Sequence, residues 1–149
     1  MTHEVLIAGF GGQGILFAGK LLAYTAMLEG KYVSWLPSYG PEMRGGTANC
    51  SVIVSDEPVS SPIIVNPTTL IVMNLPSLEK FEKAVVKGGN ILIDSSLIPE
   101  EFSRDDTKNI AIPSTKLADD MKVGKLANMI ILGKALKETG IFPLETVLK

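Results

Sequence analysis

The ten residues VLIAGFGGQG, Val5–Gly14, constrain this chain more than any other stretch. An apolar run of strand type enters Gly9, Gly11, Gly12 and Gly14 and leaves as ILFAGKLLAYTAML, whose apolar spacing is helical. A strand that turns straight into a helix needs backbone angles that a β-carbon forbids, and glycine supplies them. Bare backbone also lets an anion reach the first helical amides, where the partial positive charge of the helix favours it. Gly9, Gly11, Gly12, Gln13 and Gly14 are therefore candidates for a backbone anion site. The same glycines have a second possible use, close packing of helix on sheet with no ligand.

Gly9, Gly11 and Gly14 fit the spacing G-x-G-x-x-G in the strand-to-helix context that binds a dinucleotide pyrophosphate. That fingerprint also requires an acid about 20 positions on, at the end of the second strand, to hold a ribose hydroxyl. The matching stretch is YVSWLPS, with no acid; Glu29 precedes it and Glu42 lies in the following loop. A nicotinamide dinucleotide is disfavoured, although the glycine turn stands.

The second notable segment is SYGPEMRGG, Ser38–Gly46, directly after that strand. In open α/β sheets the carboxyl ends of strands are where ligands bind. Ser38, Tyr39, Glu42, Arg44, Gly45 and Gly46 are the candidates here. Arg44 offers a bidentate contact to phosphate or carboxylate, Glu42 can orient it, and the glycines admit a ligand or another subunit. The plainer alternative is a solvated turn with a local Glu42–Arg44 ion pair, worth little if exposed.

Elsewhere the pattern alternates between strand and helix. Strands are expected at Val5–Ala8, Tyr32–Leu36 (with a loop from Pro37), Thr47–Val54, Leu70–Leu75, Asn90–Asp94 and Asn109–Ile112. In Thr47–Val54 the alternation puts Ala48, Cys50, Val52 and Val54 on one face, with Cys50 packed. Helices are expected after Gly14 up to Gly30, at Ser77–Lys87, at Ser114–Met121 with Ser114 as N-cap, and at Val123–Glu138 ended by Gly140. Asn128 lies inside that last apolar helix, where its amide needs partners. Together they describe a single three-layer α/β domain of Rossmann-like type with a parallel or mixed sheet.

Several function classes are disfavoured. The formal charge is −2 and the pI about 5.4, with no basic run, which argues against nucleic acid as the main ligand. No apolar stretch approaches the ~20 residues that span a bilayer, and the opening MTHEVLIAG has no basic leader region, so a soluble cytoplasmic protein without a membrane partner is expected. Cys50 is the only cysteine and His3, placed before the first strand, the only histidine; no catalytic triad, histidine metal cluster or C-x-x-C can be built. Asp94, Asp119 and Asp120 read as caps or solvated acids, Lys20 as a residue snorkelling at the helix surface, and Phe17 and Trp35 as core or interface residues.

The pair GFGGQG and SYGPEMRGGTANCSVIVS, so spaced, resembles the gamma subunit of 2-oxoacid:ferredoxin oxidoreductases. The likeness extends through Ser55, the Ser61–Pro62 pair and the helix around Asn128–Gly133, and YGPEMRGGTANC is closer to the 2-oxoglutarate and branched-chain types than to the pyruvate type. It implies a subunit, with no catalytic residue of its own, of an enzyme that decarboxylates a 2-oxoacid, forms an acyl-coenzyme A and reduces ferredoxin. Thiamine diphosphate with Mg2+ would be held by the alpha and beta subunits and the iron–sulfur clusters by beta or a small ferredoxin-like (delta) subunit, with no metal held by this chain. Gly11–Gly14 and Arg44 would face coenzyme A or a neighbouring subunit. The family's usual C-terminal extension is expected to be missing, and a homodimer is one state open to the isolated chain. The competing reading is an independent nucleotide- or dinucleotide-binding module.

Overall fold

A computed structural model describes residues 2–10, 15–38, 47–58, 66–73, 78, 81–95, 106–120 and 131–132. The elements run β1 (Thr2–Phe10), α1 (Ile15–Leu28), β2 (Tyr32–Ser38), β3 (Thr47–Ser55), β4 (Thr69–Val72), a 3₁₀ turn (Glu82–Ala84), β5 (Asn90–Asp94), β6 (Lys108–Ile112) and α2 (Ser114–Asp120). The six strands form one sheet in the order β2-β3-β1-β4-β5-β6. Only β3 runs against the rest, antiparallel to both β1 and β2, while β1, β4, β5 and β6 pair parallel. The sheet is therefore mixed.

β1 explains its own sequence. It is flanked on both edges, by β3 and β4, so both faces of Val5–Ala8 meet packed layers and every side chain is apolar. Val5 and Ile7 point to a core shared with α1, Cys50, Val52, Val54, Ala118, Ile131 and Leu132. Leu6 and Ala8 point to a second core with Leu70, Val72, Leu78, Val85, Ile91 and Ile93. Two cores on opposite faces make the expected three layers. Burying a leucine, isoleucine or valine in either contributes about 1.5–3 kcal/mol.

α1 stops where the sequence says it should. Gly30 has φ of 77°, its N–H donates to the Met27 carbonyl at 3.0 Å, and the Lys31 N–H donates to Ala26 at 3.1 Å. That pair of bonds is a Schellman cap, which satisfies carbonyls that the helix leaves open.

Four elements differ from expectation by two residues or more. β1 begins at Thr2, so His3 lies within the strand opposite Val54. The extension is held by Thr2 Oγ1 and Ser55 Oγ at 2.9 Å and by Thr68, whose Oγ1 accepts from the Glu4 N–H at 2.9 Å. β2 runs through Pro37 to Ser38; as an edge strand it tolerates a residue without an N–H. β4 ends at Val72, short of Leu75. The helix expected to reach Lys87 gives way after the Glu82–Ala84 turn, because Val85 becomes extended (φ −62°, ψ 136°) and drops its side chain into the second core. The helix expected at Val123–Glu138, with Asn128, falls outside the described residues except for buried Ile131 and Leu132.

Candidate functional site

The sheet register decides which edge carries the site. Since β3 opposes both β1 and β2, those two strands point the same way, as do β4, β5 and β6. Five carboxyl ends thus share one edge with the amino end of β3. Phe10, the last residue before 11–14, pairs with Thr47, the first residue after 39–46. Ser38, the last residue before 39–46, pairs with Asn49 two positions along the same strand. The chain therefore leaves the sheet for both glycine-rich segments from strands on either side of β3, about 10 Å apart at the usual inter-strand spacing.

Gly9 is buried inside β1 opposite Ala48, so the strand continues past the first glycine of the fingerprint. Gly11, Gly12, Gln13, Gly14, Tyr39, Glu42, Arg44, Gly45 and Gly46 lie outside the described residues. So does the side chain of Ser38, although its backbone ends β2. The backbone brings the ends of the two segments together.

Chain order also places a switch at this edge. From β1 the chain passes through α1 to β2 on one side, then after β3 crosses to β4 on the other. The gap between β1 and β4 is where open α/β sheets hold ligands. There the Met73 N–H donates to the Ala8 carbonyl at 2.9 Å, so the chain leaves β4 beside the strand that enters 11–14.

The chain matches the pyruvate ferredoxin/flavodoxin oxidoreductase family over residues 4–149. It belongs to that family. Similar proteins include the ketoisovalerate oxidoreductase subunit VorA of Methanothermobacter thermautotrophicus, 43% identical over 140 residues, which covers 93% of this chain and 29% of VorA. The 2-oxoglutarate synthase subunit KorC of Methanocaldococcus jannaschii is 34% identical over 152 aligned positions, covering all of this chain and 81% of KorC. The chain thus spans under a third of the VorA length. Among solved structures, the keto/oxoacid ferredoxin oxidoreductase gamma subunit of Geobacter sulfurreducens superposes with a TM-score of 0.88 at 28% identity, over 99% of this chain and 81% of that one.

Within this oxidoreductase-family fold, the residue that sequence reasoning passed over is Gly19. It lies in the interior of α1, and a β-carbon there would sit less than 3.0 Å from Cys50 Sγ, 3.1 Å from Trp35 Nε1 and 3.4 Å from Val52 Cγ2. Close helix-on-sheet approach is thus observed at Gly19. A signal was present: glycine inside a helix costs about 1 kcal/mol relative to alanine, so its use there calls for a packing reason.

Cys50 packs as expected, fully buried, with its thiol donating weakly to the Ile15 carbonyl at 3.5 Å. Burial pushes the thiol up to about 12, outweighing the opposing influence of Trp35 and Gly19. Such a thiol is neither a nucleophile nor a ready metal ligand. Trp35 packs against the first core, and its indole N–H is buried without a well-formed hydrogen bond. Phe17 is 60% exposed, which removes it from the core and leaves the interface reading.

Asp94, at the carboxyl end of β5, is completely buried. Its carboxylate accepts from the Thr115 N–H at 3.3 Å and from the Thr115 hydroxyl, and so caps α2. Ser114, expected to be the N-cap, is instead the first helical residue, because an acid from the neighbouring strand reaches the amide that a local cap would serve. Asp119, Asp120 and Lys20 are exposed. His3 is half-buried at the opposite edge of the sheet, where burial lowers its basicity. Among the described residues no three His, Cys, Asp or Glu side chains gather into a metal site, and no helix is long and apolar enough to cross a membrane.

Proposed function

We propose that this chain is the gamma component of a 2-oxoacid:ferredoxin oxidoreductase. Such an enzyme converts a 2-oxoacid, coenzyme A and two oxidised ferredoxins to an acyl-coenzyme A, carbon dioxide, a proton and two reduced ferredoxins. The observation that carries the reading is the shared sheet edge from which 11–14 and 39–46 both depart, in a chain matched to the family over 4–149.

This chain's part is to bind and orient, with the redox chemistry placed elsewhere. An iron–sulfur cluster needs several thiolates, and the one cysteine here is a buried strand residue, so the chain's own residues do not fit a cluster. Thiamine diphosphate and Mg2+ belong, on this reading, to the alpha and beta components, and the clusters to beta or a small ferredoxin-like delta component. Gly11–Gly14 and Arg44 are assigned to the phosphates of coenzyme A, which suit helix amides and a guanidinium.

The proposed 2-oxoacid is 2-oxoglutarate, supported by KorC relatives of which the chain covers about four fifths. The higher identity to VorA supports 2-oxoisovalerate as a second reading. The deciding experiment is anaerobic purification of the complex through a tag on this chain, then ferredoxin reduction with 2-oxoglutarate, 2-oxoisovalerate and pyruvate. The acid with the highest kcat/KM identifies the substrate. Recovery of the chain alone, folded and without coenzyme A-dependent activity, overturns the proposal. Arg44→Ala should raise the KM for coenzyme A at least tenfold; unchanged KM and unchanged assembly remove Arg44 from the site.

A further inference from the structure

α1 is apolar on both sides. Its inner side packs Ile15, Ala18, Leu22, Ala23 and Ala26 into the first core. Its outer side carries Phe17, Tyr24, Met27 and Leu28, exposed at 60%, 60%, 60% and 63%. Positions 17, 20, 24, 27 and 28 follow helical spacing, so these four side chains form one stripe with Lys20 in it. A surface helix normally turns several charges outward, and this one carries only Lys20.

The stripe exposes on the order of 450 Å², taking about 200 Å² for each side chain, the size of the largest apolar patch on a typical monomer, which is often a functional one. The aromatic residues and methionine are those enriched at interface centres. Lys20 is exposed and forms no ion pair among the described residues. Its complement is an apolar surface bearing a carboxylate.

Two observations choose the occupant. A second copy packed stripe to stripe would bury roughly 900 Å² in total, below the ~1,200 Å² typical of stable pairs. VorA, by contrast, carries the same domain in one polypeptide with more than twice as much additional chain, since the matched part is 29% of its length. A domain so joined is held at high local concentration beside the remainder.

We infer that the outer stripe of α1 is the docking surface for the larger component of the oxidoreductase, the counterpart of the remainder of VorA. That component presents an apolar segment with a carboxylate opposite Lys20. The inference rests on the function proposed above and names its partner surface. Because α1 follows residues 11–14 directly, docking there seats the partner beside the sheet edge that carries the candidate site.

The test is carbene photolabelling of the active complex, purified through a tag on this chain, against the isolated chain. Phe17, Tyr24 and Met27 should lose at least fivefold of their labelling on assembly. Tyr24→Glu and Met27→Glu should melt within about 2 °C of the parent as isolated chains, since both positions are exposed, yet fail to join the complex. Lys20→Glu should weaken assembly at least tenfold and Lys20→Arg should preserve it. An active complex with the stripe labelled as in the free chain overturns the inference and leaves the function intact. An isolated chain that dimerises through the stripe, and is made monomeric by Tyr24→Glu, overturns it in favour of a second copy. Failure of the parent chain to enter any active complex overturns both.

Discussion

Gly19→Ala tests the close approach of α1 to β3. Alanine would gain about 1 kcal/mol in helix propensity, so an unobstructed site would become more stable. Here the new methyl would lie less than 3.0 Å from Cys50 Sγ, well inside the ~3.5–4.0 Å at which heavy atoms rest. The sulfur can escape only by turning χ1 into a site with no exposed surface, and doing so gives up its contact with Ile15. Overpacking of this kind costs about 1–3 kcal/mol, and the depth of the overlap places it at or beyond the upper end. The net loss should be about 2 kcal/mol, equivalent to a fall in Tm of roughly 4–8 °C for a chain of this size. Thermal and urea unfolding of Gly19→Ala, Cys50→Ala and the double variant measure it. Removing the sulfur gives the methyl room, so the double variant should be at least ~1 kcal/mol more stable than the two single losses predict by addition. A Gly19→Ala protein as stable as the parent, with additive single effects, would show that the helix does not approach the sheet at Cys50.

Asp94→Ala should lose about 2–4 kcal/mol in urea unfolding, because it strips a buried cap from the Thr115 amide and hydroxyl; a loss under ~0.5 kcal/mol refutes the cap. Cys50, held up to about 12 by burial, should resist iodoacetamide at pH 8 in the native protein and react fully in urea; native alkylation at the rate of a free thiol refutes its placement. The Lys31–Asp56 ion pair, seconded by the N-terminal amine, lowers the Asp56 carboxyl from 3.8 to about 2. A carboxyl lowered in the folded state favours folding above its unfolded value, so the contribution is present above pH ~4 and lost as pH falls towards 2. Lys31→Met should return the carboxyl towards 3.8, read by NMR titration; an unchanged titration removes the pair.

Much of this fold is legible residue by residue. The buried run Val5–Ala8, the alternation through Cys50, Val52 and Val54, and the stop at Gly30 each follow from local spacing or from one backbone angle. The boundaries that moved did so for reasons lying elsewhere in the chain. Thr68 and Ser55 hold the start of β1, an edge position admits Pro37, and the second core pulls Val85 out of helical geometry. The absence of a ribose-binding acid and of clustered thiols was equally plain, since residue types are visible without coordinates.

The chain by itself therefore determined where strands, helix ends and glycine-rich segments occur, because periodicity and steric permission act within a few residues of one another. Only the tertiary structure decided that β3 runs against its neighbours, and with it that Phe10, Ser38, Thr47 and Asn49 meet at one edge. The tertiary structure likewise assigned Asp94 to the amide of Thr115 and pressed Gly19 onto Cys50. Such contacts join residues about 20 to 40 positions apart. Strand pairing and close packing depend on which surfaces the whole chain can bury together, and no local preference encodes that.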